Sequence, residues 1–161
     1  MNQHEIAEIL AKPYSQQLLN GRIPARFAYV GLDGDPRVVP LGFHFDGERL
    51  QLFTVPKAAK VNALRKNPRV AITIDTEGFP PKVLLIRGTT ELRLEDGVPA
   101  DYLASGKLVP ADEFDAWKAG VEALYDQMVR ITVTPDWVKL LDFETTLPKS
   151  VADLIAEKQG G

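Results

Sequence analysis

The chain has 161 residues, of which 45% are hydrophobic and 25% charged, a balance that suits one soluble globular domain and excludes disorder as its main state. It contains no cysteine, which excludes zinc ribbons, iron–sulfur clusters, thiol catalysis and a disulfide framework, so redox chemistry would need an organic cofactor. Nineteen Lys and Arg against 22 Asp and Glu give a net charge of −3, so the whole molecule has no global attraction for nucleic acid or an anionic membrane.

In chain order, Met1–Leu10 carries Glu5 and Glu8 and lacks a basic start followed by an apolar stretch, so no signal peptide is expected and a cytoplasmic location is. Residues 1–20 read as a helical lead-in, with Ile6, Ile9, Leu10, Leu18 and Leu19 at helical spacing and Pro13 restarting the helix. From Arg26 the period changes to two. Phe27–Gly31, Val38–Phe45 and Arg49–Val55 predict a three-stranded meander joined by the Asp33-Gly34 and Asp46-Gly47 turns. Within Val38–Phe45 the odd positions Val39, Leu41, Phe43 and Phe45 are bulky, whereas Val38, Pro40, Gly42 and His44 leave the other face open to close approach.

A short helix over Pro56–Asn67 is expected to stop at Pro68, followed by a strand at Arg69–Asp75 and a longer one at Lys82–Leu94, with Gly88 marking a bulge. Residues 97–128 read as a helical insertion: Val98–Gly106, then Pro110–Met128 with Phe114, Trp117, Val121, Leu124, Tyr125 and Met128 on one stripe. Strands return at Val129–Thr134 and Trp137–Phe143. A closing helix within residues 148–161 has Ser150 and Asp153 in capping-box spacing. Six or seven mostly antiparallel strands with inserted helices indicate a single α+β, mainly β domain built on a small barrel. The longest apolar pieces fall far short of the ~20 residues a membrane span requires.

There is no Gly-x-Gly-x-x-Gly, Walker loop or His-Glu-x-x-His, so the usual nucleotide and zinc signatures are missing and no metal is expected. Two histidines and isolated serines leave little for a hydrolytic triad. What remains is a basic waist: between Phe53 and Ile74 there are five basic residues and no acidic one, whereas Glu91–Asp126 holds nine acids against three bases. Thr54, Lys57 and Lys60, around the start of a helix, supply the hydroxyl, ammonium groups and free backbone N–H that a phosphate prefers. On a helix Lys57 and Lys60, three apart, share a face.

The runs FAYVGLDGDPRVVPLGFHFDGERLQLFTV, KAAKVNALRKNPRVAITID and VLLIRGTTEL, within Arg26–Leu94, resemble the FMN-binding split barrel of the pyridoxamine 5'-phosphate oxidase-like family, and RITVTPDWVKLLDF resembles its closing strands. The resemblance implies a homodimer with two cofactors in grooves between subunits. By position, Arg37, Val38, Val39, Pro40 and Leu41 would line the flavin, with Phe53 and Thr54 on the next strand. Lys60 would bind the phosphate with Lys57 as a helper, and Lys82, Val83 and Trp137 would approach from the second subunit. The true oxidases carry a glutamine where Val83 stands and a C-terminal tryptophan with a His/Arg motif that this chain lacks, which argues against vitamin B6 phosphate as substrate. The expectation is therefore an FMN-dependent oxidoreductase acting on a small molecule, with NAD(P)H as a candidate donor and no catalytic side chain assigned. A 5-deazaflavin cofactor, a non-catalytic carrier of flavin or another planar ligand, and a barrel with no cofactor stay open.

Overall fold

The computed structural model describes residues 1–160, so position 161 of the expected C-terminal helical stretch lies outside the described residues. One antiparallel sheet of seven strands forms the body: β1 (Ala25–Val30), β2 (Pro36–Leu41), β3 (His44–Phe45), β4 (Leu50–Thr54), β5 (Arg69–Asp75), β6 (Val83–Asp96) and β7 (Gln127–Leu141). The strand order is β2-β1-β5-β6-β7-β4-β3. β2 and β3 are therefore at opposite ends of the sheet, yet only Gly42 and Phe43 separate them in the chain. Three Cα steps span at most about 11 Å. The sheet must curl until its two ends nearly meet, without hydrogen bonds between them, and this is the split barrel expected from the sequence.

That topology corrects the predicted meander. Val38–Phe45 is not one strand paired with both neighbours: β2 pairs only with β1, β3 pairs with β4, and β4 pairs onward with β7. The two Asp-Gly turns are present, with Gly34 and Gly47 in the left-handed region (φ 87° and 104°). Asp46 accepts from the backbone N–H of Glu48 and Arg49, tying its turn shut.

β6 and β7 carry the bend. Their register shifts between Arg87 and Gly88, at the point where Gly88 faces Pro135. A Cβ on Gly88 would lie 2.5 Å from the Thr134 carbonyl oxygen, so only glycine permits this approach. Pro135, which has no N–H, sits where the ladder is interrupted. The two predicted strands Val129–Thr134 and Trp137–Phe143 are thus one strand, β7, because the bulge absorbs the proline.

The helices follow the sequence with shifted ends. α1 (Gln3–Leu10) is capped by Asn2 and Glu5, and α2 (Pro13–Asn20) has Pro13 in its first turn. α3 (Ala59–Lys66) is shorter than predicted, leaving Lys57 ahead of its N-cap Ala58. α4 (Ala100–Ser105) and α5 (Phe114–Leu124) form the insertion. Leu124 is exposed and Met128 belongs to β7, so neither lies on a buried helical stripe. α6 (Lys149–Gln159) starts from Pro148 without a side-chain cap; the predicted Ser150–Asp153 box does not form, and Asp153 pairs instead with Lys149. The insertion leaves and rejoins the β6–β7 pair at one point, where Gly97 N–H donates to the Asp126 carbonyl. The core is the concave side of the sheet, including Phe27, Phe43, Leu52, Ile72, Ile86 and Ile131, closed by Leu18 and Leu19 from α2.

Gly88→Val should lower unfolding stability by about 1–3 kcal/mol through overpacking against β7, measured by urea denaturation. A wild-type midpoint would show that the bend does not depend on the missing side chain.

Candidate functional site

Thr54 ends β4 and is buried, and the chain then turns through Val55–Ala58 into α3. Lys60 is the second residue of α3, and its ammonium returns to donate to the Thr54 hydroxyl at 3.4 Å. Lys60 is half-buried, and so long a bond leaves it free to serve a better acceptor. The N-cap Ala58 offers no side-chain acceptor to the first turn of α3; the Val61 N–H donates to the Ala58 carbonyl, and the N–H groups of Ala59 and Lys60 are left without a side-chain cap. Arg37 and Ala59 line one cavity of about 240 Å³ with Tyr29 and Ala63. There Asp33 holds the Arg37 guanidinium at 2.6 Å, and that bond holds the Asp33 carboxyl below the usual carboxylate range. Lys57 is exposed and precedes the helix, so the shared helical face expected for Lys57 and Lys60 does not exist.

A second cavity, of about 310 Å³, lies at the split itself, where Pro40, Leu41 and Gly42 face Phe53 across the opening. Its roof is the insertion: Tyr102 meets Phe53 edge-on at 5.7 Å and is followed by Trp117 at 5.6 Å and Phe114 beyond it. Gly42 is required here, because a Cβ would stand 2.8 Å from the Ser105 carbonyl oxygen. The close approach predicted for that face of the strand is thus made in part by α4. Val38 is 67% exposed on the same strand, and Val39 is half-buried on the opposite face.

Lys82, Val83 and Trp137 are elsewhere. Val83 pairs with Leu141, twelve residues along β7 from Val129, the partner of Thr54. Lys82 lies over the Tyr14 ring at 4.0 Å, and Trp137 lies under the Arg87 guanidinium at 4.2 Å. Within one chain the fold brings Pro40 and Leu41 to Phe53 at the split, Lys60 to Thr54 at the start of α3 and Arg37 to Ala59 beside that helix start, and holds the other three apart.

Residues 11–139 match the sequence model of the family described as Pyridoxamine 5'-phosphate oxidase. The chain belongs to that family. Among solved structures it is similar to an F420 reductase, with 27% identity and a TM-score of 0.59 over 77% of this chain and 94% of that one. It is also similar to a conserved hypothetical protein from Mycobacterium tuberculosis (18% identity, TM-score 0.59, 94% of each chain). A FAD-binding protein from Mesorhizobium loti matches at 20% identity and a TM-score of 0.51 over 76% of this chain and 86% of that one. The last two likenesses concern the fold. No curated protein matches the chain.

This member of the pyridoxamine 5'-phosphate oxidase family also carries charges that sequence reasoning passed over. Arg130, on β7, donates to Glu95 and Asp101, reaches Gln51, and stands 4.9 Å from the Phe53 ring centroid. Its guanidinium holds the Glu95 carboxyl below the usual carboxylate range. Arg130, Asp101 and Gln51 line a polar cavity of about 480 Å³ on the outer face of β4, β6 and β7. Only the inward side of the RITV alternation was legible in the sequence; the partners of its outward Arg130 are 29 and 35 residues away. Lys107, next to the insertion's tight turn, lies over the Phe43 ring at 3.7 Å and donates to the Leu19 carbonyl at 2.7 Å. Among the described residues no helix is long and apolar enough to cross a membrane.

Burial lowers the Lys107 pKa from 10.5 to about 8. Between those values the unfolded chain binds a proton that the folded chain has released, so this residue makes stability rise with pH across that window. Urea midpoints measured from pH 8 to 10 should show this increment in the wild type and not in Lys107→Met. Identical pH slopes for the two would refute the assignment.

Proposed function

We propose that the chain is a flavin-type oxidoreductase that holds its cofactor's phosphate between the Thr54 hydroxyl, the Lys60 ammonium and the first turn of α3. The observation that carries this reading is the return of Lys60 onto Thr54 at an uncapped helix start, in a chain of the pyridoxamine 5'-phosphate oxidase family. The donor set fits the group: a phosphate accepts charge-assisted bonds from the ammonium and further bonds from the hydroxyl and backbone N–H. The edge strand Arg37–Leu41 would support the ring system, and the neighbouring split would admit a substrate. When bound, a flavin supplies hydride transfer, so the side chains have to orient and exclude water rather than act as acids or bases.

FMN is the first cofactor reading, with NAD(P)H as candidate donor. A 5-deazaflavin is the second, favoured by the 27% identity with an F420 reductase; its phosphodiester would use the same donors. Both readings are best completed by a homodimer, because Lys82, Val83 and Trp137 belong to a surface that a single chain keeps away from Thr54. In a symmetric pair one protomer's β6–β7 end would reach the other's phosphate cradle.

Lys60→Ala should weaken flavin binding about tenfold or more, since a hydrogen bond to a charged group contributes about 1.5–3 kcal/mol. Titration of the variant with FMN, followed by fluorescence quenching, checks this, and wild-type affinity would overturn the phosphate assignment. Parallel titration of the wild type with FMN and with the 5-deazaflavin identifies the cofactor by the tighter affinity. Absence of turnover with any reductant, despite tight binding, would favour a non-catalytic carrier.

A further inference from the structure

The cavity at the split differs in chemistry from its surroundings. Its walls are Pro40, Leu41, Phe53, Tyr102, Leu108 and Trp117, closed by Ser105 and the glycines at 42 and 106. None of these side chains is charged. Of the cations nearby, Lys107 turns back onto the Leu19 carbonyl, Arg22 stays outside the lining on the Leu108 carbonyl, and Arg130, beside Phe53, is neutralised by Glu95 and Asp101. An anion seated among these walls would lose its hydration with no charged side chain in the lining to pair with it.

The shape is as selective as the charge. Tyr102 and Trp117 are tilted by 30° at 5.6 Å, and Phe53 stands edge-on to Tyr102. A Cβ on Gly106 would meet the Trp117 ring at 2.6 Å, so the absence of a side chain there is what lets the indole lie against the cavity. A volume of about 310 Å³ is at the low end for a ligand pocket and holds one or two fused rings. One polar group has a defined sense. The Ser105 hydroxyl is 2.6 Å from the Tyr102 carbonyl; a carbonyl can only accept, so Ser105 spends its proton there and can only accept from a ligand.

We infer that this cavity binds a small, planar, uncharged aromatic molecule carrying a hydroxyl or amine donor, and that this is the substrate class of the proposed oxidoreductase. The inference rests on the flavin reading, because Pro40 and Leu41 form both the cavity wall and the strand assigned to the flavin ring. Aromatic walls favour flat rings through offset or edge-on contacts, and the pocket's neutrality selects against carboxylates and phosphates. The phosphate of a vitamin B6 compound has no counter-charge here.

The test uses the full chain and three probes: 2-naphthol, 2-methoxynaphthalene and 2-naphthoate, titrated by calorimetry with and without FMN. The expected result is saturable binding of 2-naphthol at one site per chain, with each of the other two at least tenfold weaker. Ser105→Ala should bring 2-naphthol and 2-methoxynaphthalene within twofold of each other. Gly106→Val should abolish binding of both, and Leu108→Asp, at the exposed mouth, should weaken both at least tenfold should the glycine variant fail to fold. Equal binding of 2-naphthoate and 2-naphthol, no binding of 2-naphthol, or wild-type binding in a folded Gly106→Val or Leu108→Asp variant would overturn the inference. FMN binding without 2-naphthol binding removes this proposal and spares the flavin reading; 2-naphthol binding without any flavin binding keeps the cavity's ligand class but overturns the flavin reading and, with it, the assignment of that ligand as substrate.

Discussion

Close contact between Gly88 and the backbone of β7 is the constraint on which the molecule depends. β6 and β7 are the two longest strands, and they run beside each other from the barrel floor to the insertion. Without a bend, strands of that length would hold the sheet too flat to bring its ends together. With one, β2 and β3 approach closely enough for two residues to connect them. The bend needs glycine on one strand because the partner carbonyl occupies the place of a side chain, and it tolerates proline on the other because a ladder bond is already lost there.

Everything assigned to function is a consequence of incomplete closure. Where β2 and β3 meet without pairing, Pro40–Gly42 stay accessible on one side, and Phe53 from β4 arrives on the other. α3 begins shortly after that strand, and its Lys60 turns back onto Thr54. The insertion returns from the tip of the β6–β7 pair to cover part of the split with aromatic rings. Charge is sorted accordingly: ammonium and hydroxyl donors gather at the start of α3, paired ions cover the outer face around Arg130, and the cavity between them has no ionised side chain.

Much of this was legible from residues close together in the sequence. Asp-Gly turns, the alternation of β5, the stop at Pro68 and the glycine bulge all depend on neighbours within a few positions, and each appears where its pattern predicts. Thr54 and Lys60 were legible for the same reason, since one turn and half a helical turn are enough to bring them together. The errors also have physical causes. Val38–Phe45 alternates like a single strand, because alternation records which face is buried and not which strand lies alongside; the break at Gly42–Phe43 is made by barrel closure. Val129–Phe143 reads as two strands because proline interrupts a ladder in general, whereas here the bulge had already opened it. Lys57 reads as helical, but α3 starts at Ala59, two residues too late to include it.

Composition and local pattern therefore determine the turns, most helix and strand positions, and the closeness of Thr54 and Lys60, because these rest on short-range sterics and on the chemistry of individual side chains. Only the folded chain decides which strands are neighbours, that Arg130 is neutralised by carboxylates far away in sequence, that Lys107 turns inward, and that Gly106 makes room for an indole. Those features depend on contacts between segments separated by tens of residues, and no local period encodes which distant surface will be pressed against which.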